Sequence, residues 1–387
     1  MPGFVPFFLN EGLDYGCFAS DLVADIAFTE FTPDAIVRHP FLDLRRDKVA
    51  GEVQLERPQT AGATGKRANR AKGKRVKPLS FTDKKGIAAA ARLSVKLTSP
   101  DKLVYADEKI TKAQLVAYYD AVSERMLEHA ANRPLTLLRR PTGSSKPFFQ
   151  KHDSGGFPDA FKTVIIGGTV SDRDDYLYID DVAGLVAGVQ MSALEFHIWG
   201  SHIDDFEKAD RIVFDIDPDE GLDFTATREA ARDIRNELAK WGLESFPMVT
   251  GGKGIHVIAP LKPTLDWPEI KLFCRTFAEK LAINEPERFT SNIRKATRKG
   301  RMFVDYLRNE RGATAVAPFS TRAKPGCPVA VPVSWDEVGT LDRADAFSLG
   351  EAAARAQGPD PWLNYFTLTQ SVTKAMLSSV AGDKLKK

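Results

Sequence analysis

The chain has 387 residues, with 54 Lys and Arg against 52 Asp and Glu, and is 43% hydrophobic and 27% charged. That is the make-up of an ordinary globular protein long enough for two or three domains. No run approaches the ~20 apolar residues that span a bilayer, and the N-terminal MPGFVPFFLNEGLDYG lacks the basic flank and cleavage site of a signal peptide, so no membrane association is expected. Cys17, Cys274 and Cys327 lie far apart without a CxxC, which excludes a disulfide framework, argues against a cysteine-rich zinc site and fits a reducing cytoplasm.

In chain order, residues 1–55 offer one strand-like run, 22–31, too little to bury a core alone. Residues 56–95 read as a basic flexible linker. The stretch 61–95 alone holds ten basic residues against Asp83, so the rest of the chain is net acidic despite an overall charge of +2. Such a tether either follows a phosphate backbone or is simply solvated. From residue 96 to 385 the pattern alternates. Residues 112–131 have helical spacing with Thr111 as N-cap. Strands are expected at 134–139, 163–167, 175–179, 194–199, 211–216, 255–259 and 302–307, and helices at 183–192, 223–241 and 268–283. The class is α/β or α+β.

Three motifs carry chemistry. In RIVFDIDPDEG, Asp215 and Asp217 are two apart on a strand and project from one face. Like charges so close favour a hard divalent cation between them, or they form an exposed acidic strand end. In VTGGKGIHVIAPL, the glycines allow close backbone approach to an oxyanion, Lys253 adds charge and His256 opens the next strand; the bland alternative is a glycine hairpin with a buried histidine. In RMFVDYLRN, Asp305 is a lone carboxylate in an apolar strand, which calls for a metal or an arginine partner. Together, three carboxylates and a phosphate cradle suit two-metal phosphoryl transfer. A nuclease would need no triphosphate cradle, and a glycosyltransferase with a DxD site gives no reason for Asp305.

These motifs, with ATAVAPFSTRAKPGCPV downstream and LTSPDKLVY, ITKAQLVAYYDAV, RPLTLLRRPTG, PFFQKH and LEFHIWGS upstream, closely resemble the polymerase domain of bacterial ATP-dependent DNA ligase D, of the archaeo-eukaryotic primase superfamily. The resemblance covers residues 96–385. It implies a two-module primase-like fold around an RRM-like sheet. It also implies a template-directed nucleotidyltransferase of non-homologous end joining that uses two Mn2+ (or Mg2+) ions, favours ribonucleotides among its NTP and dNTP substrates, and fills gaps at ends bearing a 5′-phosphate. By position, Asp215, Asp217 and Asp305 match the catalytic metal ligands. His256, Lys253, Thr250 and Arg322 match triphosphate contacts, Thr250 standing where the family usually has Ser. His197 and Arg139 match nucleotide-side residues, Phe148 and Phe149 the pair that stacks on bases, and Lys102 and Lys112 the grip on the 5′-phosphate. Residues 1–55, with Arg38, Arg45 and Lys48, are similar to the end of the family's ligase OB-fold. No KxDG motif occurs, so ligation by this chain is not expected, nor is the phosphoesterase activity of some relatives. The Ku end-binding protein and a separate ligase are implied partners, and a bacterial, nucleoid-associated cytoplasmic location is implied. The rival readings are a primase that starts chains de novo and a non-catalytic end-binding scaffold.

Overall fold

The computed structural model describes residues 77–141, 146–167 and 175–382, and strand backbone at 23–26, 30–31, 37–38 and 41–45. The chain divides into two compact units, Met1–Gly73 and Lys74–Lys387. In the first, β1 (Val23–Ile26) pairs antiparallel with β4 (Phe41–Arg45), and β2 (Glu30–Phe31) with β3 (Val37–Arg38). The single strand expected over 22–31 is thus two short ones. The side chains of Arg38, Arg45 and Lys48, and residues 56–76 of the basic stretch, lie outside the described residues.

In the second unit, the sequence reading carries the linker to residue 95, but helix α1 (Asp83–Arg92) occupies its end. Its charge hid a packing face: Gly86, Ala89 and Ala90 are buried against helix α2 (Lys112–Ala130), and Thr82 caps it. Between them, β5 (Leu103–Tyr105) and β6 (Ile110–Thr111) form a small hairpin. Thr111 and Gln114 close the α2 start as a reciprocal capping box.

Two larger sheets follow. The first contains β7 (Leu135–Arg139), β8 (Phe148–Gln150) and β11 (Ala193–Trp199). The strands β9 (Lys162–Ile165) and β10 (Asp175–Tyr178) pair separately, and α3 (Val182–Gln190) precedes β11. The second contains β12 (Arg211–Pro218), β13 (Phe246–Val249), β14 (Ile255–Pro260), β15 (Phe289–Thr290), β16 (Met302–Asp305) and β18 (Val331–Pro332), and β17 (Thr314–Val316) joins the first sheet. The orders are β17-β11-β7-β8 and β15-β16-β12-β14-β13-β18.

The expected mixed α/β class is what the chain forms. Ile212, Phe214 and Ile216, alternate residues of β12, face the core on the side of α4 (Phe224–Lys240) and α5 (Trp267–Asn284), with the Phe214 and Phe277 rings 4.6 Å apart. Leu135, Leu137, Phe196 and Ile198 bury the corresponding face of the other sheet with α2 and α3. The opposite faces of the two sheets look toward each other. There Val213, Met248, Ile258 and Val316 are sealed with Trp362 and Tyr365 into a small second core. The polar ends of the same strands stay open beyond it. Helices α6 (Trp335–Val338), α7 (Leu349–Ala356) and α8 (Lys374–Gly382) complete the unit. No helix among the described residues is long and apolar enough to cross a membrane.

Candidate active site

Strand register builds the site. Asp215 lies directly opposite His256 on β14 and directly opposite Asp305 on β16. Cross-strand partners share a face, so His256, Asp215 and Asp305 form one row, with Asp217 two residues along the same face. This face borders a cleft whose lining includes His197, Thr250, Lys253, Arg308, Arg322 and Lys324. Eight of the expected residues (Asp215, Asp217, Asp305, His256, Lys253, Thr250, Arg322 and His197) are therefore brought to one place.

The carboxylates share cations. His256 Nε2 is 3.4 Å from Asp215 Oδ1, while its Nδ1 is buried without a hydrogen-bond partner. Arg308 Nη2 donates to Asp215 Oδ2 at 3.1 Å, and its Nε lies 3.5 Å from Asp305 Oδ2. Asp305 Oδ1 also accepts from the Leu307 N–H at 2.8 Å. Arg298 reaches Asp217 at 3.5 Å and lies 3.8 Å over the Phe303 ring. Burial would raise the Asp215 carboxyl, but His256 and Arg308 override it and hold it well below the usual carboxylate range. Asp217 and Asp305 are shifted upward, first by burial and then, against the pull of nearby arginines, by the neighbouring carboxylates. Asn309 fixes the turn after β16. Its side chain accepts from the Val213 N–H at 2.7 Å and donates to the Val213 carbonyl at 2.8 Å, filling the place of a strand neighbour.

The glycine loop joins β13 to β14. Its backbone passes so close to β12 that a Cβ at Gly254 would strike the Ile216 carbonyl, and Gly251 takes a φ of +64°. Thr250 shapes this loop: its hydroxyl donates to the Gly254 carbonyl at 3.0 Å and accepts from the Gly252 N–H at 3.3 Å. Lys253 stands exposed at the rim. Lys324 is shifted downward by burial and by Arg322 and Lys253, so positive charge accumulates around the loop.

The other wall is the four-stranded sheet. Glu195, His197, Leu138 and Phe149 share its cleft face by register. Phe149 is 64% exposed, and its ring meets the His197 ring edge-on at 5.5 Å. Phe148, its neighbour, points to the opposite face. Arg139 does too, and so is not brought to the cleft. It is buried, donates to the Met191 carbonyl at 2.6 Å and to the Gln150 amide oxygen, and lies 5.9 Å from the Phe148 ring. Strand alternation sends Arg139 to the helix-packed face, apart from the other residues expected on the nucleotide side. Lys102 and Lys112 also lie apart from the cleft lining, at the start of α2. Their ammonium groups donate to the Pro141 carbonyl at 2.6 Å and the Thr98 carbonyl at 2.8 Å. Burial, then Lys102, lowers the Lys112 pKa.

Sequence reading missed Glu195, Arg308 and Lys324. Glu195 was signalled by its two-residue spacing from His197, and Arg308 by its three-residue spacing from Asp305 within the same motif.

A family model for the primase-polymerase domain of LigD matches residues 111–362. The multifunctional non-homologous end joining protein LigD of Pseudomonas aeruginosa is 33% identical over 365 residues, covering 92% of this chain and 41% of that protein. Its namesake in Mycolicibacterium smegmatis is 31% identical over 298 residues, covering 73% of this chain and 38% of that protein. The chain thus spans about two fifths of the length of these curated relatives. Among solved structures, the polymerase domain of Mycobacterium tuberculosis ligase D in complex with DNA matches with a TM-score of 0.65 and 30% identity, covering 71% of this chain and 99% of that one.

Proposed function

The chain belongs to the LigD primase-polymerase domain family, and from that premise we propose that it is a template-directed nucleotidyltransferase that extends primer ends and fills gaps at DNA double-strand breaks in non-homologous end joining. One observation carries the reading: the row of His256, Asp215 and Asp305, with Asp217 beside it, lies next to a cation-ringed glycine loop in a single cleft.

The donor set fits a hard divalent cation, because Asp215, Asp217 and Asp305 offer only carboxylate oxygens. Burial, and then the neighbouring carboxylates, disfavour the ionised forms of Asp217 and Asp305, which a bound cation would offset. As placed, no three such groups among the described residues converge on an ion; Arg308 bridges Asp215 and Asp305 instead. A bound Mn2+ or Mg2+ would compete with the Arg308 guanidinium for Asp215 and Asp305. Such ions would lower the pKa of an attacking hydroxyl and neutralise the triphosphate. The protein's own part is to hold the anion and the base. Lys253, Lys324, Arg322 and the loop N–H groups face the phosphates, Thr250 keeps the loop in shape, and Phe149 offers a stacking surface beside His197. Lys102 and Lys112, at the positively polarised start of α2, suit a 5′-phosphate. Ribonucleotide preference, Ku and a separate ligase as partners, and an OB-fold relic in residues 1–55 belong to the same proposal.

The test is single-nucleotide extension of a gapped, 5′-phosphorylated duplex with ribo- and deoxynucleotides in Mn2+ and in Mg2+. The wild type should extend, and Asp215→Ala combined with Asp217→Ala should not. Undiminished extension by that variant would sink the mechanism. Tight binding to ends with no incorporation by the wild type would favour a scaffold, and dinucleotide synthesis on unprimed single strands a primase.

A further inference from the structure

Glu195 is a carboxylate in the cleft wall with a 5% exposed side chain, and nothing above gives it a role. A register shift between Ala193 and Glu195, where β11 bulges against β7, sets which way it faces. Its Oε2 accepts from His197 Nε2 at 2.8 Å and from Arg322 Nε at 3.0 Å, and its Oε1 accepts from the Ala323 N–H at 2.8 Å. Arg322 continues the path, donating through Nη1 to the Thr250 carbonyl of the glycine loop. Two further bonds strap the Arg322 segment to the same strand: Ser320 Oγ accepts from the Phe196 N–H at 2.9 Å, and Thr321 donates to the Leu194 carbonyl at 2.5 Å.

We propose that Glu195 is a positioning residue that aims His197 and Arg322 at the incoming nucleotide and ties the two walls of the cleft together. The inference rests on the nucleotidyltransferase reading and deepens it. Each bond decides which atom is left for a ligand. With Nε held by Glu195 and Nη1 by Thr250, Arg322 presents Nη2 to an anion. With Nε2 held by Glu195, the proton of a neutral His197 ring sits on that nitrogen and Nδ1 is the acceptor. A path from β11 through Glu195 and Arg322 to the β13–β14 loop makes the sugar side and the phosphate side of the cleft depend on one carboxylate. The arrangement is that of an outer partner that orients the groups in contact with the ligand.

The experiment is equilibrium binding of ATP in the presence of Mn2+ by the full chain and its Glu195→Gln, Arg322→Ala and combined variants, alongside binding of a 5′-phosphorylated duplex end. A glutamine oxygen can accept, but its NH2 must face a donor, so at least one of the three bonds is lost. Glu195→Gln should weaken ATP binding about 10- to 100-fold, the range of a charge-assisted hydrogen bond, and leave DNA-end binding unchanged. The combined variant should bind ATP more tightly than the sum of the two single losses predicts, because Glu195 acts in part through Arg322. Glu195→Asp retains the charge one carbon short and should not rescue; it also keeps the test open if the glutamine variant does not fold. Wild-type ATP affinity in Glu195→Gln, full rescue by Glu195→Asp, or strict additivity with Arg322→Ala each overturns the positioning role alone. A wild type that binds no ATP overturns the nucleotidyltransferase reading and this inference with it.

Discussion

The two walls of the cleft settle their charges in opposite ways. On the six-stranded wall, Asp215, Asp217 and Asp305 crowd one corner, and burial, then neighbouring carboxylates, raise two of them even with Arg298 and Arg308 among them. On the four-stranded wall, Glu195 accepts three hydrogen bonds. Burial would raise its carboxyl, but His197 and Arg322 hold it at about 2. One wall stores charge that a ligand must relieve; the other spends its charge on aiming side chains. A frustrated cluster therefore marks a place for chemistry, and a satisfied one a place for positioning.

The sharpest way to break this contrast is Asp305→Asn. Extension should fall by at least about 100-fold, the scale for losing a group that stabilises transition-state charge. Thermal stability without metal should not fall, because a carboxyl with a raised folded-state pKa opposes folding once ionised. A drop in both would deny that the wall is frustrated. Next, Phe149→Ala should weaken binding of the primer–template end by ~1–3 kcal/mol. Phe148→Ala, on the opposite face, should cost much less in the same titration; equal losses would mean that the strand face does not decide the role.

The acid limb of stability probes the satisfied wall. Glu195 has a depressed folded-state pKa, so its contribution is complete above the ordinary carboxylate value and is lost as pH falls toward about 2. Between those limits the wild type should lose up to ~1.4 kcal/mol per pH unit more than Glu195→Gln. Parallel melting-temperature curves for the two proteins would remove the argument. The smallest effect is expected of Arg308→Gln. Its guanidinium is 40% exposed, so solvent screening limits the loss of metal-free stability to about 1 kcal/mol. Adding Mn2+ should stabilise this variant more than it does the wild type, read as the shift in unfolding midpoint.

Some of this was legible because it is local. Two-residue spacing places Asp215 and Asp217 on one face whatever the strand packs against. Likewise Gly251, Gly252 and Gly254 ahead of β14 announce a close backbone approach, and Thr111 announces the start of α2. By contrast, the charged DKKG opening concealed α1, whose stability comes from a small-residue face fitted to α2. The strand over 302–307 stops at Asp305, where the side chain of Asn309 takes over the bonding to β12.

By itself, then, the sequence determined the alternation of elements, the motifs that carry the family likeness, and the pairing of acidic side chains along one strand. Only the tertiary structure decided that Asp305 lies beside Asp215, that Arg139 turns away while Phe149 turns in, that Arg308 stands among the carboxylates, and that Glu195 joins the walls. The physical reason is that periodicity fixes which residues share a face. Which strands become neighbours, in what register, and which face is then buried are set by long-range packing, which no local spacing encodes.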